Sequence, residues 1–247
     1  MYNFFVKADN KKNDRYFISG NDFNHIKNVL RMGIGEQFLV SCDNVSDLCE
    51  IQCIESDTVI AKIISENYQD TNLPIKIHLF QGLPKSDKLE LIIQKAVELG
   101  VASVTPVSMK RSIVKIDDKK KKSKRERWQA IAEAAAKQSK RTNVPEVCEI
   151  LSYKQMINVA KDLDLLLVPY ECAEGMATTK DALSKIKGDM NVGIVIGPEG
   201  GFEPSEIDLA TEAGGKIISL GSRILRCETA AITATAMCML YSEMELK

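Results

Sequence analysis

The chain has 247 residues, 45% of them hydrophobic and 27% charged. These ordinary globular values exclude a disordered, fibrous or disulfide-scaffold chain, and the length predicts one to two domains with a sizeable core. Lys plus Arg number 33 against 34 Asp plus Glu, a net charge of −1 that by itself speaks against a uniformly basic nucleic-acid binder.

Up to about residue 70 the chain reads as short strands with one helix. The strands are expected at Tyr2–Val6, Arg15–Ser19, Gln37–Cys42, Leu48–Ile54 and Thr58–Ser65. Asn13-Asp14, Gly33, Gly35 and Asp43-Asn44 punctuate them. A helix fits Asp22–Arg31, with Phe23, Ile26, Val29 and Leu30 on one face. Closely spaced short strands predict a small β-barrel over residues 1–72.

After Asn72-Leu73-Pro74 the pattern changes. A strand at Ile75–Phe80 leads to a helix at Lys88–Leu99, where Leu89, Ile92, Ile93, Ala96 and Val97 keep helical spacing. Asp87 with Glu90 offers a capping-box-like start, and Gly100 a stop. There follow a strand Val101–Val107, a helix over about Lys124–Ser139, and strands Leu163–Val168 and Val192–Ile196. Helix Pro204–Ala213, strand Lys216–Leu220 and a helix from about Thr229 complete the chain. Strands alternating with helices predict an α/β domain over residues 73–247, built on a mainly parallel sheet covered on both faces.

Seven cysteines, an odd number with no C-x-x-C pair, suggest reduced thiols in the cytosol. With only His25 and His78 available, no zinc-ligand spacing occurs, and no metal is expected. Residues 1–10 lack the basic-then-apolar order of a signal peptide. The uncharged stretch Thr229–Ser242 is shorter than the roughly 18 residues of a membrane span. A buried core helix is the better reading of it, and no membrane partner is expected.

The charge is zoned. Residues 110–141 hold 13 Lys/Arg against 4 Asp/Glu, a net of +9, so the rest of the chain carries −10. Lys119–Lys124 alone reads as a solvated loop. The surrounding Arg111, Arg125, Arg127 and Arg141 favour a polyanion-facing stretch, since arginine suits bidentate phosphate contacts.

Two loops near the C-terminus carry chemistry. Gly193–Phe202 runs from an apolar strand into Gly197-Pro198-Glu199-Gly200-Gly201, ahead of a helix opened by Pro204. It is neither a P-loop nor G-x-G-x-x-G, and it fits an awkward turn as well as a cofactor site. The second loop, Leu220–Ala230, sets Arg223, Arg226 and Glu228 beside a nearly uncharged helix. Either an arginine pairs with Glu228, or the cations receive phosphate while the carboxylate orients a substrate.

Together these loops closely resemble those of the 16S ribosomal RNA uracil-N3 methyltransferases of the SPOUT class, and the resemblance covers almost the whole chain. Gln81–Lys88 with Glu90–Lys95 is similar to that family's first strand-to-helix junction. Arg111-Ser112, Trp128, Glu133-Ala134-Ala135, Gln138-Ser139 and Arg141 resemble its basic central region, and His25 with Val29-Leu30-Arg31 its RNA-binding helix. Asn3, Gly82, Ser86, Ser222 and Cys227 depart from the family pattern.

The resemblance implies a PUA-like β-barrel for RNA at 1–72 and a SPOUT-type α/β trefoil-knot methyltransferase domain at 73–247. It implies a cytoplasmic homodimer that methylates N3 of one uridine in 16S ribosomal RNA of the small ribosomal subunit, with S-adenosylmethionine as cofactor. The cofactor would lie against Val168, Pro169, Tyr170, Glu171, Ile196, Gly197, Pro198, Gly200, Gly201, Leu220, Gly221, Ile224 and Leu225. RNA would meet His25, Arg31, Lys85, Arg111, Arg125, Arg141 and Arg223. Glu228, then Glu199, are candidates to accept the N3 proton or orient the base. Arg226 and Arg223 are candidates to stabilise the uracil anion or hold phosphate. The competing readings are a SPOUT enzyme acting on transfer RNA or a ribose hydroxyl, a non-catalytic RNA-binding assembly factor, and an ordinary Rossmann-type methyltransferase.

Overall fold

The structure is a computed structural model and describes residues 1–173 and 175–247. It divides into two compact units. One comprises Met1–Asn72 with Ala136–Val144, the other Leu73–Ala135 with Pro145–Lys247. The sequence pattern assigns 136–144 wholly to the second part; in the structure this segment packs with the first.

The first unit is built on β1 (Asn3–Phe5), β2 (Lys11–Lys12), β3 (Arg15–Ser19), β4 (Gln37–Cys42), β5 (Val45–Ile54) and β6 (Thr58–Gln69). They form one sheet in the order β1-β4-β5-β6-β3-β2, with only the β1–β4 pairing parallel. In β3, buried Tyr16 and Ile18 alternate with more exposed neighbours, the period-2 pattern of a strand with one wet face. Phe4, Tyr16, Ile18, Phe38, Val40, Cys49, Ile51, Val59 and Ala61 meet in a single core, so the sheet curls around it. Closure is incomplete, because the end strands β1 and β2 do not pair with each other. The expected helix is present as α1 (Gly20–Asn24) continued by a π-helical turn, His25–Val29, that buries Ile26.

Asp47 lies inside this unit at 1% exposure. It accepts from the Tyr16 hydroxyl at 2.8 Å, the Asn67 N–H at 3.0 Å and the Lys11 ammonium at 3.2 Å. A buried carboxylate is tolerated only when paired and hydrogen-bonded in this way.

The second unit contains β7 (Lys76–Gly82), α2 (Lys88–Glu98), β8 (Ser103–Ser108), most of α3 (Asp118–Gln138), β9 (Glu146–Val147) and β10 (Leu151–Ser152). They are followed by α4 (Tyr153–Ala160), β11 (Leu165–Pro169), α5 (Ala177–Leu183), β12 (Asn191–Ile196), α6 (Pro204–Glu212), β13 (Lys216–Ile218) and α7 (Cys227–Glu245). The sheet is parallel throughout, in the order β10-β8-β7-β12-β11-β13, with β9 paired to β8. It therefore presents the carboxyl ends of β11, β12 and β13 on the same side.

Two sequence expectations are corrected. Asp87 makes no capping hydrogen bond at the start of α2; the Glu199 carboxylate lies nearby and takes the Lys85 N–H and the Lys88 ammonium. The lysine run is not a loop: it forms the first turns of α3, which begins at Asp118. Gly100, at φ +93, ends α2 as its position suggests. Among the described residues no helix is long and apolar enough to cross a membrane.

Candidate active site

The loops that follow β11, β12 and β13 enclose a cavity of about 810 Å³. Glycine makes the β12 loop possible. A Cβ on Gly197 would lie 3.3 Å from the Phe202 ring and from the Gly201 carbonyl carbon, and Gly201 has φ +69. Both positions bring bare backbone to the cavity. Phe202 packs edge-on to Tyr170 with centroids 6.3 Å apart, giving the cavity an aromatic wall.

Buried polar side chains pin these loops. The amide of fully buried Gln81, on β7, donates to the Gly197 carbonyl at 3.4 Å. The Thr179 hydroxyl on α5 donates to the Ser219 carbonyl at 2.8 Å and accepts from the Ser219 N–H at 3.0 Å. Arg111 donates to Glu203 at 2.6 Å and to the Gly200 carbonyl at 3.1 Å, which braces the β12 loop from outside.

Of the residues expected around a cofactor, Pro169, Tyr170, Glu171, Ile196, Gly197, Pro198, Gly200, Gly201, Leu220, Gly221, Ile224 and Leu225 all line this cavity. Val168 does not. It is fully buried inside β11 and packs into the core of the unit; the cavity wall begins one residue later, where the strand ends.

The two candidate carboxylates converge on one lysine. Lys88 Nζ lies 3.1 Å from Glu199 and 3.3 Å from Glu228. Glu199 also accepts from the Lys85 N–H at 3.0 Å, and Glu228 from the Cys227 thiol at 3.2 Å. Partial burial pushes both carboxyls up. Their backbone N–H bonds and Lys88, helped by the Lys85 N–H at Glu199 and the Cys227 thiol at Glu228, outweigh it and hold both below the usual carboxylate range. Burial, reinforced by the hydrogen bond to Glu228, pushes the Cys227 thiol up to about 12, so it stays protonated near neutral pH.

Glu228 therefore pairs with neither arginine. Arg223 and Arg226 are exposed, line the cavity and make no ion pair among the described residues. The remaining RNA-binding candidates separate by environment. Arg31 and Lys85 are exposed, and His25 packs edge-on to Phe4. Arg125 is held by Glu146 and the Val147 carbonyl. Arg141 is corrected: it is only 6% exposed, burial lowers its pKa to about 10, and its guanidinium donates to Asn143. It supports its loop and offers no open surface to a phosphate.

Sequence reasoning gives no site role to Lys88, Phe202, Ser219 or Thr179. Lys88 stands in the Gln81–Lys88 run, but nothing local reveals that its partners lie far along the chain. Among the described residues no group of three or more His, Cys, Asp or Glu could hold a metal ion.

Comparisons with known proteins agree with this architecture. The RNA methyltransferase domain family matches residues 71–239, and the RNA methyltransferase PUA domain family matches residues 18–64. The chain is 42% identical to the ribosomal RNA small subunit methyltransferase E of Bacillus subtilis, covering 89% of this chain and 87% of that one. A putative methyltransferase from Legionella pneumophila, solved in complex with its cofactor S-adenosylmethionine, superposes with a TM-score of 0.83 at 32% identity, over 97% of each chain. The enzyme E of Neisseria gonorrhoeae bound to S-adenosylmethionine gives 0.80 at 28%, again over 97% of each. The first unit thus carries a PUA-like domain and the second a SPOUT-type methyltransferase domain, and the chain belongs to the ribosomal RNA small subunit methyltransferase E family.

Proposed function

We propose that this protein transfers a methyl group from S-adenosylmethionine to N3 of one uridine in 16S ribosomal RNA of the small ribosomal subunit. The observation that carries the reading is the cavity at the carboxyl ends of β11, β12 and β13, edged by Arg223 and Arg226, which have no ion pair among the described residues. Open α/β sheets bind ligands at that end. The residues fit the cofactor: the volume lies within the roughly 300–1,000 Å³ of small-molecule sites. The walls combine Tyr170, Phe202, Ile224 and Leu225 with the open backbone of Gly197 and Gly201.

S-adenosylmethionine, when bound, supplies an electrophilic methyl group on a sulfonium sulfur. The chain's residues must present the base to it. N3 lies on the Watson–Crick edge, so the uridine must be unpaired or flipped out. It also bears a proton that must leave before N3 can attack. Glu228 and Glu199 are ionised and sit low in pKa, a poor match to a general base working near neutral pH. Their role is to orient, and the N3 proton passes to solvent. Arg223 and Arg226 offer cations to the developing uracil anion and to the adjacent phosphate. Holding base and methyl group in line supplies much of the rate.

Arg31, Lys85, Lys119, Lys120 and Lys122 are exposed cations available to the RNA backbone. Arg111 and Arg125 are already engaged by Glu203 and Glu146. Seven cysteines with no C-x-x-C pair fit reduced thiols and so a cytoplasmic protein. Purified protein, S-adenosylmethionine and small subunits from cells lacking this protein should yield 3-methyluridine on nucleoside mass spectrometry. Methylation of transfer RNA or of a ribose hydroxyl instead would replace this reading, and failure to bind S-adenosylmethionine would leave a non-catalytic RNA-binding factor.

A further inference from the structure

We propose that Lys88 is a positioning residue that holds the cofactor cavity in shape by tying two of its loops to the start of α2. Three separate segments meet at its ammonium. Glu199 belongs to the glycine loop after β12, Glu228 to the first turn of α7, and Lys88 itself opens α2. The Lys85 N–H donates to the same Glu199 carboxylate at 3.0 and 3.3 Å. The β12 loop is thereby docked at the start of α2 by one ammonium and one backbone amide, with its carboxylate near the positive end of that helix. Glu228 brings in the segment just after Arg226, so the same lysine sets where that arginine sits on the cavity edge.

The energetic case is one of geometry more than of global stability. Lys88, Glu199 and Glu228 side chains are 31%, 26% and 16% exposed. Ion pairs this open contribute little to folding. Removing the ammonium has a local effect of another kind: two carboxylates that share one cation are left facing each other, and their repulsion drives the two loops apart. A neutral replacement should thus leave the fold intact and spoil the cavity.

The proposal rests on the reading of this cavity as the S-adenosylmethionine site, and calorimetry on the unaltered protein tests that reading separately. With S-adenosylmethionine as the titrant, Lys88→Met should weaken binding at least tenfold and raise KM for the cofactor more than it lowers kcat. Lys88→Arg, which can still bridge two carboxylates, should restore most of the affinity. In the cofactor-free protein, hydrogen exchange in Lys88→Met should quicken at 197–203 and 226–230 and stay unchanged in β3 to β6. If Lys88→Met keeps the affinity and exchange of the unaltered protein, the proposal fails. It also fails if exchange quickens throughout the chain, since that marks a residue needed for folding. If the unaltered protein does not bind S-adenosylmethionine, the cavity reading is what fails, and the exchange experiment still decides whether Lys88 ties the loops.

Discussion

At the scale of single residues, the site depends on what is small and what is paired. Gly197 leaves no room for a side chain against Phe202. Gly197→Val should push that ring and the 198–201 turn toward the cavity. We expect S-adenosylmethionine affinity to fall at least tenfold, about 1.4 kcal/mol, with thermal stability reduced much less; unchanged calorimetric affinity would refute the placement. The glycines, Arg223, Arg226 and both glutamates are readable from the sequence because their types already suit a cation-and-carboxylate site. Lys88 is not, since its role exists only where three distant segments meet. Arg141 misleads for the converse reason: an arginine in a basic stretch looks solvent-facing, yet this one is buried.

At the scale of elements, strands with clean punctuation are legible. β3 and β4 fall at their expected residues, each between turn-forming residues. The start of α3 is not, because lysines on every side of a helix leave no apolar stripe to detect. α5, with the sequence Ala-Thr-Thr-Lys-Asp-Ala-Leu, hides for the same reason. α4 is short, though its Ser152–Gln155 capping box is present in the sequence. The α3 lysines are also a physical oddity. Lys119, Lys120, Lys122 and Lys124 crowd the positive end of a helix, where like charges are unfavourable. Among the described residues none of the four has an ion pair. A polyanion partner would relieve that repulsion. Replacing all four by Gln should flatten the salt dependence of RNA binding, by about one unit of slope for each phosphate no longer neutralised. The helix itself should not weaken. An unchanged slope would remove these lysines from the RNA surface.

At the scale of the whole molecule, the order of elements yields the two-part organisation and the α/β class. It cannot yield a knot, which general topology rules treat as exceptional. Nor can it show that 136–144 packs with the first unit. We propose that the protein works as a homodimer. α2 and α7 pack together, and both leave large apolar side chains exposed, with Leu91 at 43%, Leu240 at 49% and Met244 at 72%. Sedimentation should give twice the chain mass, and Leu240→Asp with Met244→Asp should shift it toward the monomer; a monomeric unaltered protein would contradict this. The net charge of −1 also takes its meaning at this scale, as the sum of one cationic stretch and an acidic remainder. The activity proposed for the protein is the methylation of one uridine. Its most direct test is nucleoside mass spectrometry of 16S ribosomal RNA from cells lacking this protein. Loss of 3-methyluridine is expected, restored by the intact gene and not by the Gly197→Val variant. Undiminished 3-methyluridine in those cells would rule this activity out.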